Sequence, residues 1–257
     1  MILTIDIGNT NTKFGIYNND KLAYSFRLSS RPTKTSDEYG VDILTQLARH
    51  QVQPKDIKGI IVGSVNPSLN FSYERVCEYF FDIKPLFVGS GIKTGIDVKY
   101  DNPKNLGADR IADCVGAVHK YGSPLIVVDC GTATAFNVVN SQRQFVGGVI
   151  SIGLNTSAES LSKNAAKLPE FDFAIPSTVV GRNTITNMQS GIVYGFVGAV
   201  EKIIELIKIE IGIDCKVVAT GGQSELLKQH SQVIDVIDRS LTLDGLYQIY
   251  LANNAQY

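Results

Sequence analysis

The sequence predicts an α/β protein built from two similar halves, and three observations carry that prediction. Short β-branched runs alternate with segments whose apolar residues recur at helical spacing, the pattern of helices covering a mixed sheet. The stretch TIDIGNTNTKFGIY near the start has a counterpart in VVDCGTATAFNVV, with Asp129 in the place of Asp6, Gly131 in the place of Gly8 and Thr132 in the place of Asn9. Two apolar strand-like runs follow each of these turns, so the match is a repeat of organisation as well as of residue type.

In chain order, MILTIDIG, NTKFGIYN and KLAYSFRLS read as three short strands, joined by turns whose Gly and Asn residues allow bends that β-branched neighbours resist. SDEYGVDILTQLARH opens on acidic residues and continues as a helix. IKGIIVGSVNP reads as a buried strand, SLNFSYERVCEYF as a second helix and IKPLFVG as a return to strand. A helix begins near Ala108, introduced by Asn105 or by the glycine turn at Gly107. The second half starts near Tyr121 and Gly122, which gives domains 1–120 and 121–257. PLIVVDCG, TATAFNVV and QFVGGVIS form its meander, and TITNMQSGIVYGFVGAVEKIIELIKIE is a long packed helix. CKVVATGGQSELL reads as a strand, a glycine turn and a helix, able to admit a nucleotide close to the backbone.

Composition excludes several classes of function. With 24 basic and 25 acidic residues interspersed and a net charge of -1, no positive field favours nucleic acid or an anionic membrane. Cys77, Cys114, Cys130 and Cys215 lack paired metal-ligand spacing and read as reduced, buried thiols, and His50, His119 and His230 form no metal motif. Met1 leads straight into ILTIDIG with no signal-like segment. No apolar run reaches the roughly 18 residues of a membrane span, since Glu201, Lys202, Glu205 and Lys208 interrupt the longest helix. A cytoplasmic protein is expected.

The chemistry lies in the two Asp-x-Gly turns. Gly8 and Gly131 let backbone N–H groups approach phosphate oxygens, while Asn9, Thr10, Asn11 and Thr12 in one turn and Thr132 in the other add neutral donors. Asp6 suits a phosphate only through an ion such as hydrated Mg²⁺, and Asp129 can contribute to a cation site. Lys13 can reach the phosphates, although the chain lacks P-loop spacing. The competing structural reading is a pair of tight hairpin turns with a surface lysine. At the mouth of the helix starting near Ala108, Asp109 can accept a hydroxyl proton as an alcohol attacks a γ-phosphoryl group, and Arg110 can bind a carboxylate. Capping by Asp109 and a pair between Asp113 and a surface cation are the structural alternative.

The ordered set DIGNTNTKFGIY, SDE, TGIDVKYDNPKNLGADR, DCGTATAFNVV, GGVISIGL, GRNTITNMQSG, TGG and LTLDGL, spread over nearly the whole chain, resembles the type III pantothenate kinases. These belong to the acetate and sugar kinase, Hsc70 and actin superfamily. The resemblance implies two ribonuclease-H-like domains with an interdomain nucleotide cleft, a homodimer, and ATP-dependent phosphorylation of pantothenate to 4'-phosphopantothenate, the first step of coenzyme A biosynthesis. It implies Mg²⁺ and a monovalent cation, K⁺ or NH₄⁺. Carried over position by position, Asp6, Ile7, Gly8, Asn9, Thr10, Asn11, Thr12 and Lys13 are the first ATP-phosphate segment, Thr132 is the second phosphate-contacting hydroxyl, and Asp129 is the monovalent-cation ligand. Tyr100, Gly107, Ala108, Asp109 and Arg110 form the pantothenate region, with Asp109 as proton acceptor and Arg110 as anchor. Thr184 is a substrate contact reaching in from the partner subunit.

Three positions depart from the family pattern. Ala135 stands where another threonine is common, Asn137 where an acid is common, and Ile152 where proline is common. Two alternatives stay open on sequence alone: an accessory or regulatory nucleotide-binding protein on the same fold, and a kinase for another small hydroxyl compound.

Overall fold

The structure is a computed structural model that describes residues 1–31, 33–164, 174–212 and 214–254. Eleven strands and seven helices follow in chain order among the described residues. The first part holds β1 (Ile2–Ile7), β2 (Asn11–Asn18), β3 (Lys21–Ser29), α1 (Ser36–Arg49), β4 (Gly59–Ser64), α2 (Pro67–Phe81), β5 (Leu86–Phe87), β6 (Asp97–Val98) and α3 (Ala108–Tyr121). Then come β7 (Leu125–Cys130), β8 (Ala133–Val139), β9 (Gln144–Ile152), α4 (Leu154–Asn164), α5 (Thr184–Ile211), β10 (Lys216–Thr220), α6 (Ser224–His230), β11 (Val236–Ile237) and α7 (Leu241–Asn254). The chain divides into two compact units. Unit 1 is Met1–Gly122 together with the segment that starts at Ser240, and unit 2 is Ser123–Arg239.

Unit 1 carries the strand order β3-β2-β1-β4-β5, with β1–β2 and β2–β3 antiparallel and β1–β4 and β4–β5 parallel. One face of this sheet, formed by Leu3, Ile5, Ile7, Phe14 and Ile16, buries against Tyr39, Ile43 and Leu47 of α1 and Leu69, Tyr73 and Val76 of α2. Alternation along each strand places these residues on the same side. α1 starts where the sequence predicts an acidic first turn. Thr35 accepts from the Glu38 N–H while the Glu38 carboxylate takes the Thr35 N–H, satisfying two otherwise orphaned donors.

Unit 2 repeats the arrangement as β11-β10-β7-β8-β9, again a meander extended by parallel strands. Ile126, Val128, Phe136 and Val138 pack against Val193, Val197, Val200 and Ile204 of α5 and Leu226 and Leu227 of α6. The long helix α5 opens on an Asn183–Thr186 capping box and closes at Gly212 in the left-handed region. All four cysteines are buried, unpaired thiols, and burial pushes the Cys77 and Cys130 thiols up to about 12. No helix among the described residues is long and apolar enough to cross a membrane.

The sequence-derived domain 121–257 is too long at its C-terminal end. From Ser240 the chain belongs to unit 1, where α7 packs against α3 with their backbones in contact. A Cβ at Gly245 would come within 1.8 Å of the Ala112 carbonyl oxygen, and one at Gly116 within 2.4 Å of the Leu241 carbonyl oxygen. The same contact overturns the surface reading of Asp113. This residue is 1% exposed and its Oδ1 accepts from the Thr242 hydroxyl at 2.7 Å.

Candidate active site

The first turn hangs between β1 and β2. The antiparallel register pairs Ile7 with Thr12 and Asp6 with Lys13, leaving the four residues from Gly8 to Asn11 to turn the chain. The Gly8 N–H closes that turn on the Asn11 carbonyl oxygen at 3.2 Å. A Cβ at Gly8 would lie 2.8 Å from the same oxygen, so glycine is required for the closure. Asn9, Thr10 and Asn11 are exposed at the tip. Ile7 is buried in the core and can offer a ligand only its backbone. Thr12 also departs from the expected donor row. It is fully buried on the face shared with Phe14 and Ile16, with its Oγ1 3.0 Å from Ser30 Oγ.

Asp6 and Lys13 lie on the opposite face of this pair of strands. The Asp6 carboxylate is 6% exposed and sits 3.5 Å from Lys13 Nζ. Burial pushes its pKa above the ordinary carboxylate value, Lys13 opposes the shift, and Asp109 adds to it. Asp109 comes from the first turn of α3, just after the N-cap Gly107. Its Oδ1 accepts the Arg110 N–H at 2.7 Å, so the capping role and the site role fall on one carboxylate. Burial raises the Asp109 pKa as well, and the Arg110 N–H, the Arg110 guanidinium and Lys13 pull the other way. A Cβ at Gly107 would approach Asp109 Oδ1 to 2.4 Å, so only glycine there leaves the carboxylate in its present orientation. A buried carboxylate and a half-buried one, both with raised pKa values, thus lie in the field of one lysine at the mouth of a helix, an arrangement suited to proton transfer or to a hard cation. Arg110 is half-buried beside them on α3, and Tyr100 is half-buried in the preceding segment.

The second turn joins β7 to β8. Here Cys130 pairs with Thr134 and Asp129 with Ala135, so the three residues from Gly131 to Ala133 make the turn and Gly131 N–H closes on Ala133 O at 3.1 Å. Thr132 is exposed at the tip, and its carbonyl oxygen accepts the Gly153 N–H at 3.2 Å and the Thr156 hydroxyl at 2.8 Å. Asp129 is half-buried, and the turn after β10 runs directly against it. Gly221 has φ +88°, and a Cβ there would fall 2.5 Å from Asp129 Oδ1 and 2.6 Å from the Cys130 carbonyl oxygen. The sequence reading found this glycine turn without its neighbour. The signal was the parallel pairing of Thr220 with Asp129, which only the sheet order reveals.

The family departures fall at three different places. Ala135 lies across the strand pair from Asp129, Asn137 is fully buried, and Ile152 is half exposed at the end of β9. Thr184, the first residue of α5, is exposed and lines a groove of about 660 Å³ with Ile152, Leu161, Met188, Ile192 and Phe196.

Among the described residues no group of three or more His, Cys, Asp and Glu side chains could enclose a metal ion. A hard cation that keeps most of its water and uses phosphate oxygens needs only one or two carboxylates, and the donor set of Asp6 and Asp109 fits that case. The Asp129 carboxylate beside the Cys130 carbonyl oxygen offers oxygen donors of the kind a monovalent cation takes.

A family model described as type III pantothenate kinase matches residues 2–206 of the chain. A protein of Geobacillus thermodenitrificans (strain NG80-2) described as a type III pantothenate kinase is 48% identical over 253 residues, 98% of each chain. Among solved structures, a Campylobacter jejuni protein described as a Baf family transcriptional activator superposes with a TM-score of 0.61 at 20% identity, covering 99% of this chain and 100% of that one. Component A of (R)-2-hydroxyglutaryl-CoA dehydratase from Acidaminococcus fermentans does so with a TM-score of 0.56 at 15% identity and 98% coverage of both chains. At these identities the two structures share the fold, and function has to be argued from the site.

Proposed function

This chain belongs to the type III pantothenate kinase family, and from that premise we propose how its residues divide the work of phosphorylating pantothenate with ATP, the first step toward coenzyme A. Asp109 is the proton acceptor. It takes the proton of the pantothenate primary hydroxyl as that oxygen attacks the γ-phosphoryl group. Its raised pKa makes it a stronger base than an exposed carboxylate. Arg110 anchors the pantothenate carboxylate through its guanidinium fork, with Tyr100, Gly107 and Ala108 as neighbouring contacts.

The turn from Asp6 to Lys13 holds ATP phosphates by backbone N–H groups and by the exposed Asn9, Thr10 and Asn11 side chains, and Thr132 does the same from the second turn. Asp6 would hold Mg²⁺ through water and Asp129 a K⁺ or NH₄⁺ ion, and these cations supply positive charge against the phosphates when bound. The observation that carries this assignment is the convergence of Asp6, Lys13 and Asp109, in which both carboxylates are lifted by burial and each is opposed by Lys13.

The groove beside α5 supports a homodimer. Ile152 at 52% exposure and Leu161 at 37% leave an apolar lining open to solvent, and Thr184 stands at its rim. We assign the groove to a second copy of the chain, which brings Thr184 to the partner's substrate. Sedimentation of Ile152→Glu should then show monomer, with activity lost in proportion. A cytoplasmic location agrees with the use of ATP.

The deciding experiment follows 4'-phosphopantothenate formation from ATP and pantothenate in potassium and in sodium buffers, with Asp109→Asn alongside. Product that requires pantothenate, rises in potassium and collapses in Asp109→Asn is expected. Undiminished turnover by Asp109→Asn would remove the base from the assignment, and ATP binding without product would point to an accessory protein.

A further inference from the structure

The two turns are braced from behind by different hydroxyl groups. Ser30 and Gly153 occupy equivalent places, each just past the third strand of its meander. Each also donates its N–H to a carbonyl inside the turn, Ser30 to Thr10 at 3.0 Å and Gly153 to Thr132 at 3.2 Å. Beyond that shared bond the braces diverge. In unit 1 the Ser30 hydroxyl lies 3.0 Å from the buried hydroxyl of Thr12, tying the far end of the turn to the same residue. The segment after Ser30 is itself held, because the Tyr39 hydroxyl donates to the Arg31 carbonyl oxygen at 2.6 Å and accepts the Arg31 N–H at 3.0 Å.

Unit 2 has no room for that hydroxyl. A Cβ at Gly153 would come within 2.4 Å of the Gly131 carbonyl oxygen and 2.5 Å of the Thr132 carbonyl oxygen. Thr134, which follows its turn as Thr12 follows the first, is accordingly left with a buried hydroxyl that has no hydrogen-bond partner among the described residues. The compensating bond comes from the first turn of α4, where the Thr156 hydroxyl donates to the Thr132 carbonyl oxygen at 2.8 Å. Neither Ser30 nor Thr156 belongs to the residues assigned to ligand contact.

We infer that Ser30 and Thr156 are positioning residues, each fixing the backbone of one turn in the shape that receives ATP phosphates. The inference rests on reading those turns as the phosphate sites. Backbone donors stabilise a phosphate only where they are already aimed at it, so a turn with a missing brace must be ordered by the ligand itself. The loss then falls on ATP binding and leaves pantothenate binding unaffected.

The test measures kcat and both KM values, with Tm, for Ser30→Ala, Ser30→Thr, Thr156→Val and Thr156→Ser, alongside Asn9→Ala as a probe of the first phosphate turn. Ser30→Ala and Thr156→Val should each raise KM for ATP by about five- to tenfold, the worth of one hydrogen bond. KM for pantothenate and kcat should hold, and Ser30→Thr and Thr156→Ser should recover the original KM. An unchanged KM for ATP in Ser30→Ala and Thr156→Val, with a raised one in Asn9→Ala, would overturn the positioning role and leave the phosphate reading intact. If Asn9→Ala is unchanged as well, the phosphate reading of the first turn fails with it. A rise in both KM values that tracks a fall in Tm would reduce Ser30 and Thr156 to general structural residues.

Discussion

The turn after β1 and the turn after β7 begin with the same Asp-x-Gly and differ by one residue in length. Four residues separate the paired Ile7 and Thr12, and three separate Cys130 and Thr134. That single residue decides what stands across from each aspartate: Lys13 faces Asp6, and Ala135 faces Asp129. The first carboxylate is therefore buried beside a cation, with Asp109 as a second carboxylate in its electrostatic range. The second lies against the backbone of Gly221 and the Cys130 carbonyl oxygen. On the proposed assignment, two copies of one motif would serve different chemistry, proton transfer and a divalent cation in one, a monovalent cation in the other.

The strongest way to break this comparison is Asp109→Asn, which keeps the acceptor for the Arg110 N–H and removes the base. Its kcat should fall by about a thousandfold. Its stability should move the other way. A carboxylate whose folded-state pKa is raised contributes favourably at acid pH, and that contribution is lost as pH rises through the folded pKa. Above that folded pKa the ionised Asp109 therefore costs stability, and thermal melts of Asp109→Asn taken there should show Tm higher by about 2–4 °C.

Glycine substitution separates the turns further. Gly8→Ala puts a Cβ at 2.8 Å from the Asn11 oxygen and should cost about 1–3 kcal/mol in denaturant melts. Gly131→Ala meets nothing closer than 3.5 Å and should fold like the parent. A rise of roughly tenfold in its KM for ATP would then report a ligand that approaches this backbone.

The pH profile sharpens the same contrast with a smaller effect. The acid limb of kcat should lie above the range of an exposed carboxylate, because Asp109 must be ionised to act and burial raises its pKa. Lys13 lowers both Asp6 and Asp109, so Lys13→Met should carry that limb to still higher pH. Substitution at Ala135, the facing position in unit 2, should leave it in place.

Much of the fold was legible because the local signals agree with one another. β1 to β3 and β7 to β9 are short runs rich in β-branched and apolar residues bounded by turn residues, with β3 alternating cleanly, and α1 carries a capping box in its first residues. The elements that were missed lack such signals. In α7, Leu241, Thr242, Leu243, Gly245, Leu246, Tyr247 and Ile249 are all buried, so the sequence shows no polar face from which to read a helical period. α4 follows β9 after Gly153 alone, with a weakly apolar, serine-rich sequence.

The residue types of the site were equally legible. Asp6, Gly8, Asp109, Arg110, Asp129 and Thr132 stand out because glycine, carboxylate and hydroxyl recur where backbone and side-chain donors suit a phosphate. Thr12 was not separable from Asn9, Thr10 and Asn11 by type, since only strand pairing turns its hydroxyl into the core toward Ser30.

By itself, then, the sequence determined the alternation of strands and helices, the two Asp-x-Gly turns and the family, all of which follow from local spacing and residue chemistry. The tertiary structure alone decided that α7 returns to α3, that Lys13 pairs with Asp6 with Asp109 in electrostatic range, and that Ser30 and Thr156 brace different turns. These depend on register and on contacts between residues far apart in the chain. A change of one residue in a turn reverses which face of a strand a side chain occupies, and no local pattern records that outcome.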